Sequence, residues 1–181
     1  MKSLKQLKAK RLLRKFEIEG TFKTELLDFG FEKRIFYRED KSVHIAIIKI
    51  LEGEVEITLL TDTLGGCPQS QLLRMNQYLK IANDTYNNEV KLVPPDESNG
   101  NVRVQTKKSL SKVNSQLDFF IAISCLKVRA LMFESAIHKI AEGKLLKKSD
   151  YPDEILDYEK QLVSEYNKTF LDKEIGKWKN L

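Results

Sequence analysis

Cysteine, histidine, tryptophan and proline are scarce in this 181-residue chain, with two, two, one and four of each. Two cysteines far apart exclude a disulfide scaffold and a four-ligand zinc finger. Two histidines, His44 and His138, sit on separate segments and leave no imidazole pair for a metal. The eight glycines never fall in GxGxxG or GxxxxGK spacing, which removes the common phosphate-cradling loops. HExxH, CxxC and a calcium-loop pattern of carboxylates are missing as well. No apolar stretch approaches the roughly 18 residues that a membrane span needs. No motif fixes a chemistry, so neither an enzyme nor a bound cofactor is expected.

What is present reads as an ordinary globular chain, 41% hydrophobic and 31% charged. The net charge of +5 is unevenly placed. Residues 1–15 hold seven basic side chains and no acid, residues 16–106 are acidic on balance, and residues 107–181 are again basic. The N-terminal stretch has no continuous apolar core of the kind a secretory signal carries. With two free thiols, the expected compartment is the cytoplasm. An organellar transit peptide is the alternative reading of residues 1–15.

Periodicity divides the chain into three parts. Residues 1–20 form a basic amphipathic helix or arm, with Leu4, Leu7, Leu12, Leu13 and Phe16 as its inward stripe. Residues 21–143 form the core. There, Thr21 to Phe29 reads as a short helix closed by Gly30. Arg34–Arg38, Ser42–Ile50 and Val55–Leu60 follow as three strands joined by short turns. In the middle strand Val43, Ile45 and Ile47 alternate with His44, Ala46 and Ile48, so both faces are apolar and the strand belongs in the centre of its sheet. A helix opens at Pro68 or Ser70 and carries an apolar stripe to about Asn88. Val90–Val93 and Val102–Thr106 are two further strands around a Pro-Pro loop. A long helix from about Val113 to Glu142 is apolar over much of its circumference and stops at Gly143. Residues 144–181 add a helical extension whose first turn is Pro152-Asp153-Glu154. The predicted fold is α+β: a single antiparallel sheet in α-β-β-β-α-β-β-α order, packed under the long helix, with helical extensions at both ends.

Two groups stand out as candidate sites. Lys2, Lys5, Lys8, Lys10, Arg11, Arg14 and Lys15 form an anion-binding set, helped by Lys144, Lys147 and Lys148. Their blander reading is a solvated outer face of a packed helix. Cys67, in Gly65-Gly66-Cys67-Pro68 just before a helix start, has the surroundings of a reactive thiol, because the positive end of a helix dipole favours thiolate. Its blander reading is an incidental loop thiol. Cys125, His44 and His138 read as packing or surface residues.

The element order, with Leu26-Leu27-Asp28-Phe29-Gly30-Phe31, Met75-Asn76-Gln77-Tyr78-Leu79 and Gly100-Asn101-Val102-Arg103-Val104, resembles the type III secretion chaperones and YbjN-like proteins of bacteria. The resemblance covers about Thr21 to Gly143. It implies a small homodimeric protein that holds an extended segment of a protein client, and it carries no catalytic residues. Those chaperones are typically acidic, whereas this chain is basic at both ends. Two function classes follow. One is a non-enzymatic protein-binding module, an adaptor or chaperone-like factor that acts on a protein partner and forms a homodimer. The other is a nucleic-acid-associated subunit of a ribonucleoprotein or similar assembly that uses the basic arm. Docking of the same arm on an anionic membrane surface is a third, weaker option.

Overall fold

The computed structural model describes residues 4–17, 21–26, 32–39, 42–51, 54–61, 69–87, 89–93 and 103–179. A first helix, α1 (Leu4–Arg14), precedes four strands: β1 (Thr21–Leu26), β2 (Glu32–Glu39), β3 (Ser42–Ile50) and β4 (Val55–Leu60). A 3-10 turn at Gln69–Gln71 leads into α2 (Leu72–Thr85). Strands β5 (Val90–Val93) and β6 (Arg103–Leu110) follow, then the long α3 (Gln116–Ala141). A second 3-10 turn, Lys148–Asp150, opens α4 (Pro152–Lys179). The strands make one six-stranded antiparallel sheet in the order β1-β2-β3-β4-β6-β5.

The α+β class and the single antiparallel sheet agree with the sequence reading, and β3 lies inside the sheet as its double apolar pattern requires. The segment expected as a helix over 21–29 is instead a strand at 21–26. It pairs with β2 from Thr21 opposite Tyr37 to Leu26 opposite Lys33. The sequence carries the reason: Phe22, Thr24 and Leu26 alternate with Lys23 and Glu25, a period of two. A helix of nine residues would also be too short to stand without a packed face. Residues 27–31, including Gly30, lie outside the described set.

Local chemistry sets the helix ends. Asp118 accepts the backbone N–H groups of Ser115 (3.1 Å) and Asn114 (2.6 Å), satisfying donors at the start of α3. Gly143 follows α3 with φ at +74° in open space, so this position needs the left-handed backbone and imposes no limit on side-chain size. Pro152 opens α4 with Asp153 and Glu154 beside it, where the helix dipole favours negative charge.

All helices in contact with the sheet cover the face that carries Lys33, Ile35, Ala46, Ile48, Ile57, Leu59, Val104 and Thr106. The core divides in two along α3. Leu13 and Phe16 of the α1 segment pack with Ile35, Ile48, Ile57, Leu59, Phe119 and Leu126. Met75, Tyr78, Ala82, Tyr86, Val90 and Val104 pack with Phe133, Ile137, Ile140 and Ile155. Burying each large side chain contributes about 1.5–3 kcal/mol, so either half outweighs any single polar contact.

Candidate binding surfaces

The α1 helix is a docked part of the body. Ala9, Leu13 and Phe16 are buried against the sheet and α3, and the Phe16 ring meets that of Phe119 at 5.3 Å. Leu4 and Leu7, expected on the inward stripe, are exposed. On a 100° wheel they fall opposite Ala9 and Leu13, so only one side of the helix can pack. The C-terminal end of α1 is held by Lys33 of β2, whose buried ammonium donates to the carbonyls of Leu13 (3.3 Å) and Phe16. Burial pushes the Lys33 ammonium below the ordinary lysine range, against the opposing charge of Glu17.

Of the proposed anion-binding set, Lys5, Lys8, Arg11, Arg14 and Lys15 are exposed and Lys10 is half-buried. Lys2 lies outside the described residues. Lys8, Arg11, Arg14 and Lys15 share the outward face with Leu4 and Leu7. Lys144, Lys147 and Lys148 are exposed on the connector after α3, remote in sequence from α1. Two of these three are already paired, Lys144 with Glu142 (2.7 Å) and Lys148 with Glu154 (2.9 Å).

Beside α1 runs a groove of about 510 Å³, open to solvent. Its apolar bed comes from Ala9, Ile50, Val55, Leu110 and Val113, so α1, the ends of β3, β4 and β6, and the approach to α3 all contribute. Lys5, Lys8 and Lys112 border it, with Glu54 as the one acid among the described residues. The strand ends keep their register there, Ile50 opposite Val55 and Val55 opposite Leu110, which fixes the bed. Gln6 donates to the Leu51 carbonyl at 2.9 Å and ties α1 to the β3–β4 turn.

Sequence reasoning missed a buried charge cluster at the other end of the molecule. The guanidinium of Arg129 on α3 makes a two-pronged ion pair with Glu159 of α4, at 2.9 and 3.0 Å. It also bonds Glu89 at 3.2 Å and lies 3.9 Å from the Tyr86 ring centroid. Burial alone would lower the Arg129 pKa, but the Glu159 carboxylate outweighs it and holds the cation charged. Burial also raises the Tyr86 and Tyr78 phenols far above their usual range. Tyr78 donates to the Asp150 carbonyl at 2.6 Å and Tyr86 to that of Pro152 at 3.3 Å. The cluster joins α2, α3 and α4, and the buried Arg129–Glu159 pair at its centre holds structure together. A sequence signal existed: Arg129 shares its helix face with Leu126 and Phe133, at i−3 and i+4.

Of the other singled-out residues, Cys125 and His44 are buried. Cys125 is buried, and burial pushes its thiol up, away from reactivity. His44 is fully buried in β3 and His138 is exposed on α3. Cys67 lies outside the described residues. Among the described residues no group of His, Cys, Asp and Glu is placed to hold a metal. Nor, among them, is any helix long and apolar enough to cross a membrane.

No known family model matches the chain, and no curated protein is similar to it. A solved structure of YbjN from E. coli is similar at a TM-score of 0.39 and 15% identity, over 81% of this chain and 97% of that one. The resemblance to YbjN-like proteins noted in the sequence thus has a counterpart among solved structures. A likeness of that size leaves the function to be read from the chain's own surfaces.

Proposed function

We propose that the protein is a non-enzymatic protein-binding module, an adaptor or chaperone-like factor acting on a protein partner in the cytoplasm. The groove beside α1 carries this reading. Its apolar bed would take the side chains of a partner segment, and the lysines on its border favour a segment with acidic residues. A groove of this kind suits an amphipathic helix or a short extended peptide.

The outward cations of α1 support one other reading, contact with nucleic acid. The two can be separated without removing α1, whose loss would strip Leu13 and Phe16 from the core. The full-length protein is used to capture partners from its own cell extract, with and without nuclease, next to two charge-reversed variants. Under the proposed reading a defined protein survives nuclease, and Lys5→Glu with Lys112→Glu at the groove weakens its capture while Arg11→Glu with Arg14→Glu does not. Loss of every partner to nuclease, with the opposite variant dependence, would transfer the function to nucleic acid. Affinity would then fall with salt at a log–log slope of about −0.9 per phosphate contacted on duplex DNA.

A further inference from the structure

Apart from Tyr158 of α4, the exposed large apolar side chains among the described residues fall in two regions. Leu4, Leu7 and Leu51 lie around α1 and the end of β3, beside the groove already described. Ile81 of α2 lies with Leu145 and Tyr151 of the α3–α4 connector, on a part of the molecule built on the other half of the core, and Leu73 is exposed two turns earlier on α2. Leu145 is 87% exposed and Leu73 69%, so these are true surface side chains. Leu73, Gln77 and Ile81 follow one another at intervals of four along α2 and form a stripe about 12 Å long, close to two helical turns. Between the stripe and the connector is a second groove of about 330 Å³, lined by Arg74, Tyr78, Ile81, Ile140, Leu145 and Tyr151 among others.

We infer that this second groove docks an acidic amphipathic helix of another protein, independently of the groove beside α1. Charge selects the occupant. Among the described residues Arg74 is the one charged side chain in the lining. Its guanidinium is held by neutral acceptors, Gln71 Oε1 at 3.1 Å and the Lys144 carbonyl at 3.0 Å, and has no carboxylate partner among the described residues. Of the acids on the connector side, Glu142, Asp150 and Glu154 are each taken up by a lysine, and Asp153 is exposed on the first turn of α4. Lys147 adds exposed positive charge on the connector, whereas Lys80 and Asp84 of α2 lie together at a separate pocket with Asn83 and Lys91. A carboxylate on an incoming helix would therefore find Arg74 already oriented, and leucines beside it would cover Ile81, Leu145 and Tyr151. A second copy of this chain fits worse. Two-fold pairing of α2 about Gln77 sets Leu73 against the copy's Ile81, but it also sets Arg74 against the copy's Lys80.

The test uses the full-length protein and two labelled synthetic helices, with leucines at i, i+4 and i+7 and either glutamate or lysine elsewhere. Fluorescence anisotropy should show the glutamate helix binding about tenfold or more tighter than the lysine helix. Leu145→Asp should abolish that binding with an unchanged melting curve, because the side chain is 87% exposed. Arg74→Gln should erase the preference and Arg74→Glu should reverse it, while Lys5→Glu with Lys8→Glu should leave it intact. Failure of both helices to bind, equal binding of the two, or dependence on Lys5 and Lys8 in place of Leu145 would each overturn the inference. So would a dimer in sedimentation that Leu145→Asp dissociates. None of these results bears on partner capture by the groove beside α1, which is read from separate variants.

Discussion

The two ends of α3 are joined to the rest of the molecule by different chemistry. Around Phe119 to Leu126 the helix meets hydrocarbon and rings: Leu13, Phe16, Ile48, Ile57 and Leu59. Among the described residues the only charge brought inside nearby is Lys33, which donates to the carbonyls of Leu13 and Phe16 at the end of the α1 segment. Around Arg129 to Ile140 the helix also packs apolar residues, but a guanidinium, two carboxylates and two phenols are threaded among them. Hydrophobic contact is non-directional, so the first joint sets that α1 packs and leaves its exact seat to a few hydrogen bonds. A two-pronged arginine–glutamate pair accepts one geometry. The second joint therefore fixes how α4 lies across α3 as well as whether it packs.

The contrast is open to test, beginning with the largest effect. Glu159→Ala leaves Arg129 buried beside a half-exposed Glu89, and chemical denaturation should show a loss of about 3–5 kcal/mol. The double variant Arg129→Met with Glu159→Leu should lose much less, because no uncompensated charge is left inside. Equal losses for the single and double variants would mean that packing, and not the pair, holds α4.

In the apolar half, Lys33→Met removes the cation that caps α1 but also its desolvation cost. The expected loss is about 1–2 kcal/mol, with faster hydrogen exchange confined to α1. Exchange that rises across the whole sheet would show that Lys33 supports more than the helix end.

The smallest effect belongs to Asp150. Burial would raise its carboxyl, but the Lys139 ammonium at 2.5 Å and the Lys147 backbone N–H at 2.8 Å outweigh burial and hold it below the ordinary value of 3.8. A carboxyl with a depressed folded pKa stabilises above its unfolded value, and that contribution fades as the pH falls through the folded one. Asp150→Asn should cost about 1 kcal/mol near neutrality and flatten the acid limb of the stability curve below about pH 4. An unchanged acid limb would exclude Asp150 as a contributor.

The parts of the fold that were legible in the sequence are those where one period dominates. β3, β4, α2 and α3 each show a long run of a single spacing, and Gly143 and Pro152 mark ends by backbone geometry alone. β1 was misread because six residues offer too few repeats to separate a period of two from a helical one, and the apolar Leu26, Leu27 and Phe29 pulled the reading toward a helix. Leu4 and Leu7 were misplaced for a related reason, since five apolar positions in sixteen residues can be joined into more than one stripe. Arg129, Glu159 and Lys33 were invisible as buried charges because composition assigns charge to the surface, and only a partner distant in sequence makes burial affordable. The basic face of α1 could be read directly. The groove beside it could not, because its bed is assembled from five separated segments.

One small contact has a wider effect on how copies of this chain meet. Just before the β5–β6 ladder the Lys107 N–H donates to the Glu89 carbonyl at 2.9 Å, and the next amide, that of Val90 opposite Thr106, is bonded outside the ladder. The side-chain oxygen of Asn83 on α2 takes that amide at 3.1 Å. With only four residues in β5, capping one outward donor removes much of what a neighbouring strand could use to extend the sheet. Asn83 thus blunts this one edge of the sheet against strand addition, while the opposite edge is β1.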